Sequence, residues 1–394
     1  MPAFLKRTYP NVFAECGYEG EAVEQRIQRD YETVFFGPDD ISIYRKTSGG
    51  MGYLVDTGND DVRTEGMSYG MMLAVQRNDR DTFDRIWRWT VKYMWMRSGR
   101  NHGYFAWSVG TDGVPNADGP APDGEEFFAM ALLFASHRWG DGEGELAYSR
   151  HAKAILHACV HKGEQDGQGR PMFDPATKLI RFVPDVDFSD PSYHLPHFYE
   201  LFALWGNPED ASFFREAAQA SREYLRKACH PMTGLSAEYA AYDGTPYNLN
   251  NHDLFYSDAY RVAANIALDW VWFGKDPWQV EQANHIQHFF AKTVKGRERL
   301  IYAIDGTPVT DPSRLVQQGD GIPTEVLHPV ALLATNAQAS LAADGPYRLE
   351  FVRRLWETPL RTGKRRYYDN LLYLFAMLAL AGEYRIFFPE EARE

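Results

Sequence analysis

Three carboxylic acids sit where the sequence is otherwise apolar. Glu65 lies in Arg63-Thr64-Glu65-Gly66-Met67-Ser68-Tyr69-Gly70-Met71-Met72, a run that continues through Leu73, Ala74 and Val75. Asp123 precedes the apolar stretch from Gly124 to Arg138. Asp258 opens another, in Phe255-Tyr256-Ser257-Asp258-Ala259-Tyr260-Arg261-Val262. Each has a plain structural reading. Asp123 suits a helix N-cap, Asp258 an ion pair with Arg261 one turn on, and Glu65 a first-turn acid facing the helix dipole. Three such acids at three buried helix starts, with Tyr and Trp nearby, favour one shared carboxylate site.

Paired carboxylates among aromatic rings suit hydrolysis of a glycosidic bond. One acid, kept neutral by apolar surroundings, protonates the bridging oxygen; the other activates water from the opposite face or attacks the sugar itself. Glu65 fits the acid, because Met67, Tyr69, Met71 and Met72 would desolvate it. Asp258 fits the base: Ser257 and Tyr256 are placed to orient a water, and Arg261 keeps the carboxylate ionised. Asp123 then holds a sugar hydroxyl and tunes the pair. Gly66 and Gly70 each cost about 1 kcal/mol in a helix interior, which points to a sugar close to the backbone. Trp107 and Tyr193 are candidate platforms for sugar rings, with core packing as the alternative.

The elements that must position these residues are helices. Apolar periodicity predicts them at 21–36, 65–77, 81–96, 124–138, 145–161, 192–205, 209–228, 253–273, 277–295, 325–341, 345–357 and 366–380. Loops rich in Gly, Pro, Asn and Asp lie between them at 39–62, 99–123, 162–190 and 230–252, with short β excursions expected in the last two. Helices apolar all round (124–138, 253–273, 366–380) are interspersed with amphipathic ones (81–96, 145–161, 209–228, 277–295). The first kind is buried on every side and the second faces water. Such alternation predicts an all-α fold, an (α/α)6 barrel of inner and outer rings with a cleft formed by loops at one end. An open helical array is the alternative, but no repeat period supports it. No linker divides residues 1–394, so one domain is expected.

Composition narrows the partners. The chain is acidic, with a net charge of −13 and no basic cluster, which argues against nucleic acid. Aromatic residues make up 14%, a fit to the C–H faces of a neutral sugar or to a large aromatic core. Cys16, Cys159 and Cys229 have no CxxC spacing, so neither a disulfide framework nor a structural zinc is expected. The N-terminal segment has no apolar signal-like run and no stretch is long enough to span a membrane, so a soluble cytoplasmic protein is expected.

With these residues in place, the chain resembles glycoside hydrolase family 8. Thr64-Glu65-Gly66-Met67-Ser68-Tyr69-Gly70-Met71 looks like that family's Ser/Thr-Glu-Gly-x-x-Tyr-Gly-Met run. Asp123, Asp190-Pro191-Ser192-Tyr193, the Tyr256–Val262 segment and Tyr367-Tyr368-Asp369 follow in the family's order. The resemblance implies an (α/α)6 barrel and an inverting mechanism without cofactor or metal. It also implies Glu65 as general acid and Asp258 as general base, with Asp123 where the bond breaks. Inversion calls for carboxyl groups roughly 6.5–9.5 Å apart. One departure is Asp123-Gly124-Glu125-Glu126 in place of an Asp-Ala-Asp pattern, so no role is carried over to Glu125 or Glu126.

Within the family the chain looks most like members that release xylose from the reducing end of xylooligosaccharides, which are intracellular. Those carry a Leu-His-Pro kink that closes the cleft, and Leu327-His328-Pro329 matches it. His328 would then bond the reducing-end hydroxyl; alternatively, Pro329 simply opens a helix. The competing readings are an endo-acting xylanase, chitosanase or endoglucanase, a sugar isomerase or epimerase using paired histidines such as His194 and His197, and a non-catalytic sugar-binding barrel. The sequence leaves the oligomeric state open, a monomer included.

Overall fold

A computed structural model describes residues 1–315 and 325–389. Among them are twelve helices of ten residues or more, preceded by the one-turn helices Ala3–Lys6 and Val12–Glu15. They are α1 (Gly20–Phe36), α2 (Thr64–Gln76), α3 (Arg80–Tyr93), α4 (Pro122–Trp139), α5 (Tyr148–His161) and α6 (Pro196–Trp205). The second half has α7 (Ala211–Ala228), α8 (Arg261–Phe273), α9 (Trp278–His288), α10 (Pro329–Gln338), α11 (Arg348–Glu357) and α12 (Arg366–Leu380).

The even-numbered helices form a closed ring in which each packs on the next and α12 returns to α2. The odd-numbered helices lie outside it. This is the (α/α)6 barrel, and its cause is visible in the helix faces. Every residue of α2 except Glu65 is buried, as is every residue of α12, whereas α3 and α7 bury only one side. A helix apolar all round is stable only inside, and an amphipathic one closes the outer wall. One hydrophobic core runs from Ala3 to Phe388.

Strands are few, and they lie where a loop was expected. Between α1 and α2 come β1 (Tyr44–Thr47), β2 (Met51–Leu54) and β3 (Asp61–Arg63). β1 pairs antiparallel with β2 around the Gly49-Gly50 turn. β3 pairs antiparallel with β4 (Ser108–Gly110), with Val62 opposite Val109. The excursions expected near 170–190 and 230–250 are isolated bridges, Phe173 to Ile180, Ser189 to Ala240 and Ala240 to Pro246. These segments are too short to show a period of two.

Candidate active site

β3 runs into α2 without a loop, so the paired strand fixes where the helix begins. Thr64 donates its N–H to the carbonyl of Trp107, 3.0 Å away, which ties the acid's helix to the aromatic loop. α4 starts beside it. A Cβ on Gly124 would fall 2.5 Å from Thr64 Cβ, so only glycine lets the two helix ends meet. Asp123 is in the first turn of α4, after the N-cap Ala121, and accepts its neighbour Gly124's N–H rather than capping from outside.

Gly66 and Gly70 do not leave room for a sugar. A Cβ on Gly66 would lie 2.3 Å from the hydroxyl of Tyr367, and one on Gly70 would lie 2.6 Å from Leu54. The space belongs to protein side chains, and Gly66 is what allows α12 to close against α2.

Asp258 sits in a 3-10 turn, Ser257–Tyr260, ahead of α8, rather than within the helix. Ser257 has φ of 24°, in the left-handed region that non-glycine residues avoid. The peptide joining Ser257 to Asp258 is held from both sides. Tyr368 donates its hydroxyl to the Ser257 carbonyl at 3.0 Å, and Asp258 N–H points to Glu238 Oε1 at 3.4 Å. Glu238 is buried and its other oxygen meets His252 Nδ1 at 2.8 Å.

One buried guanidinium joins the three acids. Arg261 Nη1 donates to Glu65 Oε2 at 3.2 Å, to Asp123 Oδ2 at 2.9 Å and to the Tyr69 hydroxyl at 2.7 Å; Nη2 lies 3.2 Å from Asp258 Oδ1. Glu65 and Asp258 are thus on different arms of the fork. Burial pushes the Glu65 carboxyl up to about 8; Arg261 opposes this, and Asp123 and Asp258 add to it. The carboxyl of Asp123 is also raised by burial, against the pull of Arg261. Glu65, whose proton burial holds, thus shares one site with a more accessible acid, Asp258 being the most exposed of the three at 33% of its side chain.

These groups face a cleft of about 610 Å³. Glu65, Asp123, Asp258, Trp107, Tyr193 and His328 all line it, so six of the eight expected site residues meet there. The other two stand behind the wall. Arg261 is 3% exposed and touches the acids, while Tyr256 is 4% exposed and packs its ring against Tyr260. Trp107 is 37% exposed, with Arg63 over its face at 5.2 Å. Tyr193 is 5% exposed; Arg261 lies over its ring at 5.6 Å and Phe182 stacks on it at 6.0 Å.

Sequence reasoning missed Glu238, Tyr239 and His252, which come from the 230–252 loop, and gave no site role to Tyr367, which lines the cleft from the start of α12. The buried acid in Ser236-Ala237-Glu238-Tyr239 is the only signal there. Glu125 and Glu126, to which no role was carried, are structural. Glu125 accepts the N–H of Phe105 at 2.9 Å and Glu126 the hydroxyl of Tyr199 at 2.5 Å, and burial pushes both well above the usual carboxylate range. His194 and His197 are buried away from the cleft. The first bridges the hydroxyls of Ser189 and Ser221 and the second packs on Trp272, and burial lowers both to about 3. Neither is placed to move a substrate proton.

The profile of the glycosyl hydrolases family 8 matches residues 43–381. The chain is 55% identical over 388 residues to the reducing-end xylose-releasing exo-oligoxylanase Rex8A of Paenibacillus barcinonensis, covering 98% of each. It is 55% identical over 394 residues to the reducing end xylose-releasing exo-oligoxylanase of Halalkalibacterium halodurans, covering 100% of this chain and 98% of that one. The solved structure of Rex8A complexed with xylose superposes with a TM-score of 0.93 at 54% identity, over 98% of this chain and 100% of that one. Endoglucanases are more distant: Endoglucanase A of Acetivibrio thermocellus is 25% identical over 335 residues.

Proposed function

The chain belongs to glycosyl hydrolases family 8, and from that premise we propose that it removes xylose from the reducing end of xylooligosaccharides with inversion at the anomeric carbon. Its near full-length likeness to exo-oligoxylanases supports this, and so does the place of His328 in the same cleft as the acids. We read the whole chain as one catalytic domain. We place it in the cytoplasm, in keeping with three unpaired cysteines; among the described residues no helix is long and apolar enough to cross a membrane.

In this reading Glu65, kept neutral by burial, gives its proton to the bridging oxygen as the bond to the terminal xylose breaks. A water enters from the opposite face and bonds to the anomeric carbon while Asp258 takes one of its protons. Xylose leaves from one side, and the shortened oligosaccharide keeps the water's oxygen. Glu65 ends as carboxylate and Asp258 as acid, and proton exchange with solvent resets them. Asp123 holds a hydroxyl of the sugar under attack, and Arg261 keeps the three acids in register.

A time course on xylotriose tests this. Xylose and xylobiose are expected as the only early products, with the new xylobiose end released as the α-anomer by NMR. Reducing the terminal xylose to xylitol should stop the reaction. An early spread of lengths from longer substrates, or a β-anomer, refutes the reading. Glu65→Gln and Asp258→Asn should each lower kcat by about 10²–10⁴-fold while ligand binding persists.

A further inference from the structure

α10 begins without a cap of its own. Its N-cap residue is His328, whose side chain makes no capping bond, and its first helical residue is Pro329, which has no N–H. The missing cap is supplied from another helix. Asp369, fully buried at the start of α12, accepts the N–H of Ala331 through Oδ1 at 2.6 Å. That leaves the N-cap position free to carry a side chain that lines the cleft.

The other oxygen of Asp369 holds Arg361, and Arg361 Nη1 also donates to the carbonyl of Leu327. Arg361 is itself fixed by its backbone. Its N–H donates to Asn370 Oδ1 at 2.8 Å and its carbonyl accepts from Asn370 Nδ2 at 2.9 Å, with Asn370 fully buried. His328 lies edge-on to Tyr368 at 5.0 Å, and its Nδ1 is 3.6 Å from Asp369 Oδ2, without a hydrogen-bond partner among the described residues. Leu327 is therefore held by Arg361, and His328 lies against Tyr368 and Asp369, two consecutive residues of α12. Tyr368 also holds the carbonyl next to Asp258. One turn of α12 sets both the base and the segment that shares its cleft.

We propose that Asp369 and Arg361 are positioning residues for where the chain cuts: they hold Leu327 and His328 across the cleft so that one xylose, and no more, fits beyond the broken bond. This rests on the exo reading above. An apolar contact would not serve here. The segment has to present a polar ring to the sugar at a fixed height, and a charged pair with two directional acceptors fixes both position and rotation. The pair is also dispensable for the acid and base themselves, since neither residue touches Glu65, Asp123 or Asp258.

The test uses the full chain, as wild type, Asp369→Asn and Arg361→Gln, on xylohexaose carrying an ¹⁸O label at its reducing end. The first labelled fragment is sized by mass spectrometry. Wild type should give labelled xylose alone. Asp369→Asn keeps the side-chain shape and should raise the share of labelled xylobiose and xylotriose several-fold, raise KM for xylotriose, and gain turnover on xylitol-ended substrates. Arg361→Gln should shift the fragments in the same direction. A merely structural role would lower the rate without moving the cut. A folded Asp369→Asn, by circular dichroism and a cooperative melt, that still releases labelled xylose alone overturns the proposal; if that variant does not fold, the same result from a folded Arg361→Gln overturns it. Mixed labelled fragments from wild type would sink the exo reading, and the anchor with it.

Discussion

Neutralising Asp123 should move the basic limb of the pH–rate profile. As the general acid of the proposed reaction Glu65 would act only while protonated, and burial holds its proton up to about 8, so kcat/KM for xylotriose should fall as pH rises through that value. Part of that elevation comes from Asp123. The two carboxylate oxygens share one nitrogen of Arg261, at 3.2 and 2.9 Å, so they are at most about 6 Å apart. At an effective dielectric of about 20, unit charges about 6 Å apart interact by roughly 3 kcal/mol, or about two pKa units. Relaxation of Arg261 towards Glu65 in the variant works in the same direction. Asp123→Asn should therefore shift the basic limb downward by about one to two units, whatever it does to the maximal rate. The assay is the pH dependence of xylose release at substrate far below KM, fitted for the upper pKa. A limb that stays near 8, or moves up, would show that Asp123 does not face Glu65 as a charge.

Three further changes follow from single contacts. Trp107→Ala removes an exposed ring from the cleft wall and should raise KM for xylotriose about fivefold, for a loss of about 1 kcal/mol, with kcat little changed. Glu238→Ala frees one side of the Ser257–Asp258 peptide and should lower kcat about tenfold with little change in KM; Glu238→Gln, which keeps the acceptor, should recover most of it. Gly66→Ala would normally gain about 1 kcal/mol in a helix, yet the clash with Tyr367 should make it destabilising by about 1–3 kcal/mol, read as a lower melting temperature with reduced activity.

The barrel and its three acids were legible because both signals are local. An acid amid Met67, Met71 and Met72 stands out in any window, and ten or more residues show a helical period plainly. Asp258 is expected within the first turns of a helix but lies in a 3-10 turn ahead of it, since a turn with a left-handed Ser257 looks like helix in its composition. Glu238 and His252 were not legible at all. They lie in a loop without period, and what matters about them is which distant peptide they hold. Gly66 shows the same limit in another form: its absent side chain was noticed, but the tyrosine that needs the space is some 300 residues away in sequence and meets it only after the ring closes.

That last contact also has a consequence in time. α2 is almost entirely buried, and one of its neighbours in the ring is α12. Between Gly66 and Tyr367 lie about 300 residues, which a ribosome adding about 5–20 residues per second makes in roughly 15–60 seconds. Through that interval the nascent helix that carries Glu65 has one flank unsealed, and the contact from α12 to the Ser257 carbonyl beside Asp258 is not yet made. Activity in a translation reaction should thus begin abruptly with the emergence of the C-terminal helix, and a chaperone that shields apolar surface should raise the yield by acting before that point.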